Sequence, residues 1–187
     1  MKIKKIFSKL ILALAMLLRP FNQRIYDKLN THRLHWLGVD ISPHKGEYSF
    51  ISPSVFVDGT DYSKIHIGKR TVISNDVILL THDASIKQGL RSINVDIPLG
   101  ANVTKVEEIK IGDNCFLGIR SVILPGTIIK DNTIVAAGAV VAGKEYPEGV
   151  ILGGVPARVM GMTEEWARNQ YKEKNFIGAE KIYAKKI

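Results

Sequence analysis

The sequence has almost no thiol chemistry: its one cysteine, Cys115, excludes an intrachain disulfide. Cys115 sits inside a six-residue repeat, where a small buried apolar residue is expected. No histidine is near it in sequence, which argues against a thiol nucleophile. One cysteine fits a reducing compartment. Long apolar runs are missing too. The longest, Leu10 to Leu18, has nine residues, against the roughly 20 that a membrane-spanning helix needs. A secretory cleavage site is also missing, because "RPFNQ" follows where small residues should stand. Seven prolines and sixteen glycines punctuate the chain without making it low in complexity.

Most of the chain lacks a charge bias. The formal net charge is +8, but residues 1–35 hold eight basic residues against Asp27 alone, and the remainder holds 18 basic against 17 acidic. A phosphate-tracking face on the body is therefore not expected, and nucleic acid is not an expected partner. The length suits one domain with an appendage.

The basic segment reads as a helix. Ile3, Ile6, Phe7, Leu10, Leu14, Leu17 and Leu18 follow the i, i+3, i+4, i+7 spacing, and Lys2, Lys5 and Lys9 fall mostly off that face. Pro20 ends or kinks it. Such a helix either lies in a membrane interface, with lysines on anionic headgroups, or packs on its own domain or a neighbouring subunit.

In the body, apolar residues recur at neither the helix nor the strand period. Read in sixes, residues 111–144 fall into register: IGDNCF, LGIRSV, ILPGTI, IKDNTI, VAAGAV, VAGK. Each six opens with Ile, Leu or Val and has a small residue or Val fifth. IGKRTV, ISNDVI and LLTHDA (67–84) obey the same rule, and ISPSVF and VDGTDY (51–62) obey it loosely. A six-residue repeat is the mark of a β-solenoid. Three sixes close a triangular coil, with the opening aliphatic on the axis and a small fifth residue near the corner. Between Tyr62 and Ile67 the four residues SKIH break the register, as a bulge at a corner. From Ser85 to Lys110 the repeat is absent, so this stretch reads as a long inserted loop, and such loops usually carry function. After the last sixes come an irregular "KEYPEGVILGGVPARVMG" and a short helix over "TEEWARNQYKEKNF", N-capped by Thr163, covering the open end of the coil.

The hexads, "LLTHDASI" ending a hexad run at a histidine, the inserted loop, and "GGVPARVMG" after the last coil together resemble the hexapeptide-repeat acyltransferases. The sugar O-acetyltransferase branch is most similar: galactoside and maltose acetyltransferases, and the acetyltransferases of surface-polysaccharide pathways. The resemblance covers about residues 50–161. It implies an all-β left-handed parallel β-helix, assembled as a homotrimer with active sites between subunits. It also implies acetyl-CoA as acyl donor, no metal, and a sugar acceptor in surface polysaccharide or glycolipid synthesis. The expected organisation is an N-terminal helical segment over 1–37, the β-helix over 38–161 with its loop at 83–108, and a C-terminal helix and tail over 162–187. The expected location is cytoplasmic, with peripheral membrane contact through residues 1–19 as one option.

Acetyl transfer to a hydroxyl needs a base to take the proton of a poor nucleophile. Histidine, with an unperturbed pKa of about 6.5, suits that role. His32, His35 and His44 precede the repeats, and His66 sits in the register slip as an exposed corner residue. His82 is fourth in its hexad, stands where the loop departs, and matches the family's catalytic histidine. Its orienting group is read as Asp83, if the corner breaks strand alternation, or a backbone carbonyl. Asp58 aligns with an acidic residue that contacts the acceptor in the galactoside-type enzymes, and also suits an Asx turn with Gly59. Arg91, in the loop, could reach a neighbour's site, and Asp83 and Arg91 are assigned with Asp58 to the acceptor. Carried over by motif, Gly118 and Ala137 line the acetyl-CoA groove, and Lys144 and Arg158 meet its phosphates. The chain departs from the family pattern at Ile119 and at "AGK", with one residue inserted before the lysine. An antibiotic acceptor and a non-catalytic scaffold are the competing readings. A γ-type carbonic anhydrase needs three zinc-binding histidines, and the coils offer only His66 and His82.

Overall fold

The computed structural model describes residues 2–41, 49–174 and 176–178, without the side chains of residues 2, 3 and 5. His44 and the end of the tail lie outside the described residues. Helices α1 (Lys2–Leu18) and α2 (Gln23–Leu37) come first. Six short strands follow: β1 (Asp40–Ile41), β2 (Phe50–Ile51), β3 (Phe56–Val57), β4 (Ile65–Ile67), β5 (Val72–Ile73) and β6 (Ile78–Leu79). An excursion then holds β7 (His82–Asp83), α3 (Ile86–Ser92) and β8 (Lys105–Val106). The strands resume with β9 (Ile109–Ile111), β10 (Phe116–Leu117), β11 (Val122–Ile123), β12 (Ile128–Ile129), β13 (Ile134–Val135) and β14 (Val140–Val141). β15 (Glu145–Tyr146), β16 (Val150–Gly153), β17 (Arg158–Met162) and α4 (Thr163–Glu173) complete the described chain.

Successive strands visit three sheets in rotation. The first sheet has the order β1-β4-β9-β12-β15, the second β17-β16-β13-β10-β5-β2, and the third β14-β11-β6-β3. All pairs within them are parallel except β16–β17. Ile128 pairs with Lys110, Ile134 with Phe116 and Val140 with Val122, each eighteen residues on. One circuit is therefore three hexads.

Each place in the hexad has a physical job. The openers Ile67, Ile73, Leu79, Ile111, Leu117, Ile123, Ile129, Val135 and Val141 are all buried and form the axis of the core. The fifth residues Thr71, Val77, Cys115, Ser121, Thr127, Thr133 and Ala139 are buried beside them. Burial pushes the Cys115 thiol up to about 11, so it is held neutral. The fourth residues make the corner. Arg70, Asp76, Asn114, Arg120, Gly126, Asn132 and Gly138 all have positive φ, between 55° and 77°, a region that Asn, Asp and Gly enter at least cost. His82 is the exception: at its fourth place the chain leaves the corner as strand β7.

The outward residues differ between sheets. On the first they are Asp40, His66, Lys110, Ile128 and Glu145. On the second and third they are Phe50, Val72, Phe116, Ile134 and Ile151, and Phe56, Ile78, Val122 and Val140. One side of the coil is thus charged and two are apolar.

The N-terminal helices close one end. Exposed strand edges carry unpaired backbone groups. Here the Tyr26 hydroxyl and Asn30 Nδ2 both donate to the carbonyl of Ile51 in β2, at 2.7 and 3.0 Å. Burial pushes the Tyr26 phenol up to about 12. α1 packs on α2, and Arg33 donates to the buried Ser8 hydroxyl at 3.0 Å. The far end departs from expectation. β17 turns back antiparallel along β16, and Trp166 of α4 is exposed, so the second sheet is covered by a strand rather than by the helix. Met162, not Thr163, is the N-cap; Thr163 is the first helical residue and donates its hydroxyl to the Val150 carbonyl at 3.1 Å. The register slip is a 3₁₀ turn over Tyr62–Lys64. The inserted loop is not structureless, because β7 and β8 pair antiparallel and α3 lies between them.

Candidate active site

His82 stands where the insertion leaves the corner between the third and first sheets. Its Nδ1 lies 2.7 Å from Asp58 Oδ2. Asp58, at the end of the rung above, is only 3% exposed. A buried carboxylate is costly unless fully hydrogen-bonded, and this one is. Oδ2 accepts from the Thr81 amide (3.0 Å) and hydroxyl (2.6 Å), and Oδ1 accepts from the Thr60 amide (3.0 Å) and hydroxyl (2.9 Å). Burial alone would raise the Asp58 carboxyl; bonds from Thr81, His82 and Thr60 outweigh it and hold the group below the usual carboxylate range. An ionised Asp58 only accepts, so the Nδ1 atom carries the proton and donates it. In the neutral ring that leaves the lone pair on Nε2, and the His82 side chain remains 35% exposed.

The open side of His82 faces a cleft of about 370 Å³. Leu80, His82 and Asp83, then Leu124 and Pro125, then Gly143 line it from three stacked rungs of one corner, and Lys105 and Glu107 line it from the returning arm of the insertion. Lys105 and Glu107 pair at 2.7 Å. A Cβ on Gly143 would collide with the Pro125 carbonyl oxygen, so this wall requires glycine.

The residues singled out from sequence are placed unevenly. Asp58, expected on the acceptor, has both oxygens engaged within the chain and holds His82. Asp83, expected on the acceptor and as one candidate to orient His82, instead accepts from the Ser85 amide at 2.8 Å, and bonding from Ser85, side chain first and then amide, holds its carboxyl below the usual range. It does line the cleft. Arg91 lies exposed on α3, with Nη1 3.2 Å from Gln88 Oε1, and is not among the cleft residues. Gly118 and Ala137 stack on each other: a Cβ on Gly118 would lie 2.6 Å from the Ala137 amide nitrogen. That close approach explains the glycine, and Gly118 itself is buried while Ala137 is exposed. Both sit on the corner between the second and third sheets, near Arg158 of β17, and one chain does not bring them to His82. Lys144, on the His82 corner, is exposed with Nζ 5.2 Å from the Tyr146 ring centroid. Neither Lys144 nor Arg158 is in an ion pair among the described residues. Between Val141 and Tyr146, both inward residues, the frame advances by five residues rather than six.

Thr60, Thr81, Lys105 and Glu107 were not legible as site residues. Thr60 has a local signal, the D-x-T spacing of an Asx turn. Thr81 reads as an ordinary hexad residue, and Lys105 and Glu107 as loop. Among the described residues no cluster of three His, Cys, Asp or Glu side chains could hold a metal ion, and no helix is long and apolar enough to cross a membrane.

Known proteins share this architecture. Residues 108–143 match the family described as bacterial transferase hexapeptide (six repeats). Protein CapG of Staphylococcus aureus is 31% identical over 160 residues, which are 83% of this chain and 87% of CapG. Galactoside O-acetyltransferase of Escherichia coli (strain K12) is 31% identical over 139 residues, 67% of this chain and 66% of that enzyme. Two further relatives, from Escherichia coli and Bacillus subtilis, are 30% identical, and the chain spans about half of their length, 54% and 50%. A solved structure of galactoside acetyltransferase in complex with coenzyme A superposes with a TM-score of 0.53 at 21% identity, over 88% of this chain and 83% of that one, and shows a shared fold.

Proposed function

The chain belongs to the bacterial hexapeptide transferases, and from that premise we propose that it is an acetyl-CoA-dependent O-acetyltransferase acting on a sugar hydroxyl. The carrying observation is the His82–Asp58 pair at 2.7 Å on the wall of the cleft. His82 is the general base. Its Nε2 takes the proton of the acceptor hydroxyl as that oxygen forms its bond to the acetyl carbon. The carbon–sulfur bond breaks, and the imidazolium returns the proton to the leaving sulfur. The donor supplies an activated acetyl thioester; the chain supplies orientation and proton transfer. Asp58 fixes the ring through Nδ1 and stabilises its charged form. Thr60 and Thr81 keep Asp58 ionised. Asp83 and Arg91 are left to the acceptor, Asp83 from the cleft wall and Arg91 from the exposed helix of the insertion.

The coil is read as a left-handed β-helix that forms a homotrimer. Two outward ladders are apolar, and apolar ladders of this extent are normally covered. The corner bearing Gly118, Ala137 and Arg158 is also distinct from the one bearing His82 and Lys144. A neighbouring copy brings the two corners together, which places the acetyl-CoA groove and the active site between subunits. The reading divides the chain into a helical segment over 1–37, the coil over 38–161 and a C-terminal helix and tail over 162–187. The acceptor class is a sugar of surface polysaccharide or glycolipid synthesis, handled by a cytoplasmic protein.

The test is release of CoA thiol from acetyl-CoA in the presence of a galactoside and of a panel of glycans. Turnover by the wild type and its loss in His82→Ala are expected. Equal turnover by the two proteins would end the base assignment, and a monomer in sedimentation would end the shared-site reading.

A further inference from the structure

Helix α1 turns the wrong face outward for a helix that serves only its own domain. It packs with Ser8 and Ala15 buried and with Ile11, Leu12 and Leu18 half-buried. Five of its large apolar residues point away: Ile6, Phe7, Leu10, Leu14 and Leu17 are at least half exposed, Leu10 at 61% and Leu17 at 68%. Phe21, just past the helix, is 85% exposed. Counted from Ile6, the five helical positions lie at i, i+1, i+4, i+8 and i+11, so they form one continuous stripe.

Charge selects what covers the stripe. Lys9 on α1 and Arg24 and Lys28 on α2 are exposed, within a segment whose basic residues exceed its acidic ones by seven. A second copy docking by a two-fold axis would set that surplus against itself. An anionic lipid surface complements it. A 17-residue helix is about 25 Å long, which suits lying flat. We propose that the outward stripe of α1 seats the protein on an anionic lipid surface, with its apolar side chains in the boundary between headgroups and acyl chains and its basic side chains on lipid phosphate.

The seat adjoins the site. A cavity of about 180 Å³ is lined by Lys4 of α1 and by Gly59 and Thr60, next to Asp58. Lipid docking therefore holds the His82 end of the coil near the surface that would carry a lipid-linked sugar. That consequence rests on the sugar O-acetyltransferase reading; the docking does not.

The experiment uses the full chain and sedimentation with vesicles of phosphatidylglycerol and phosphatidylcholine, or of phosphatidylcholine alone. Wild type is expected to bind the mixed vesicles, and less at high salt. Leu10→Ser/Leu14→Ser/Leu17→Ser should weaken binding about 100-fold, and Lys9→Glu/Lys28→Glu about tenfold or more. Both should release CoA thiol with a soluble galactoside as wild type does, which also shows that they fold. Equal vesicle binding by wild type and both variants, or no binding by any, overturns the proposal. So does a smaller particle mass for the leucine variant without lipid, which would assign the stripe to a protein contact. Failure of wild-type CoA release would sink the transferase reading and leave the vesicle result standing.

Discussion

Two histidines in this coil present Nδ1 to a carboxylate at nearly the same distance, His82 to Asp58 at 2.7 Å and His66 to Asp40 at 2.8 Å. Their surroundings differ. Asp58 is buried and takes four further bonds from two threonines, whereas the Asp40 side chain is 72% exposed. The other ring nitrogen differs more. His66 Nε2 is buried without a hydrogen bond, 3.8 Å from Glu108 Oε2, and Glu108 pairs with both Lys64 and Lys110. His82 faces the cleft. A histidine–carboxylate pair is therefore not a site in itself. It becomes one when the carboxylate is held rigid and ionised and the opposite nitrogen can reach a substrate.

The largest expected effect that tests this contrast is His82→Ala, which should lower kcat by about 10²- to 10⁴-fold; His66→Ala under the same assay should leave kcat near wild type. Equal losses would erase the distinction. Asp58→Asn should come next, at about 10- to 100-fold in activity, because the amide NH₂ cannot accept from Thr81 and His82. Asp40→Asn should be silent in the same assay.

Gly143→Ala, which drives a methyl group into the Pro125 carbonyl, should cost about 1–3 kcal/mol in urea unfolding and raise KM through the displaced cleft wall. Acid unfolding sharpens the contrast further. The Asp58 carboxyl is lower in the fold than its unfolded value of about 3.9, so its contribution is present above that pH and is lost as pH falls through the folded value. Asp58→Asn should remove that part of the acid dependence, measured as unfolding free energy against pH below about 4. The smallest effect is on stability in His66→Ala, about 0.5 kcal/mol or less, since its partner Asp40 is exposed.

Much of this was legible in residues. The hexad openers and small fifth residues are the buried ones because a coil of three sixes returns the same place to the axis on every turn. His82 was legible from its place: it stands fourth in a hexad, where the other corners turn with positive φ, yet directly before an insertion. The bond between Asp58 and His82 was not legible, since hydrogen-bond partners 24 residues apart follow from the stacking of rungs and not from local pattern. α3 escaped because a seven-residue helix with a central Gly89 carries little propensity of its own.

The α1 stripe divides the two sources of information most plainly. Its spacing alone determined that residues 2–18 form an amphipathic helix, because i, i+3, i+4 and i+7 fall on one side whatever surrounds them. Which side meets the domain was decided by tertiary packing. α2 closes the coil with Tyr26, Asn30 and Leu34 and accepts α1 along Ser8 and Ala15, where close approach is possible. In the same way the period of six determined the coil and its core. Only the stacking of one rung on the next decided that Asp58 would lie against His82 Nδ1.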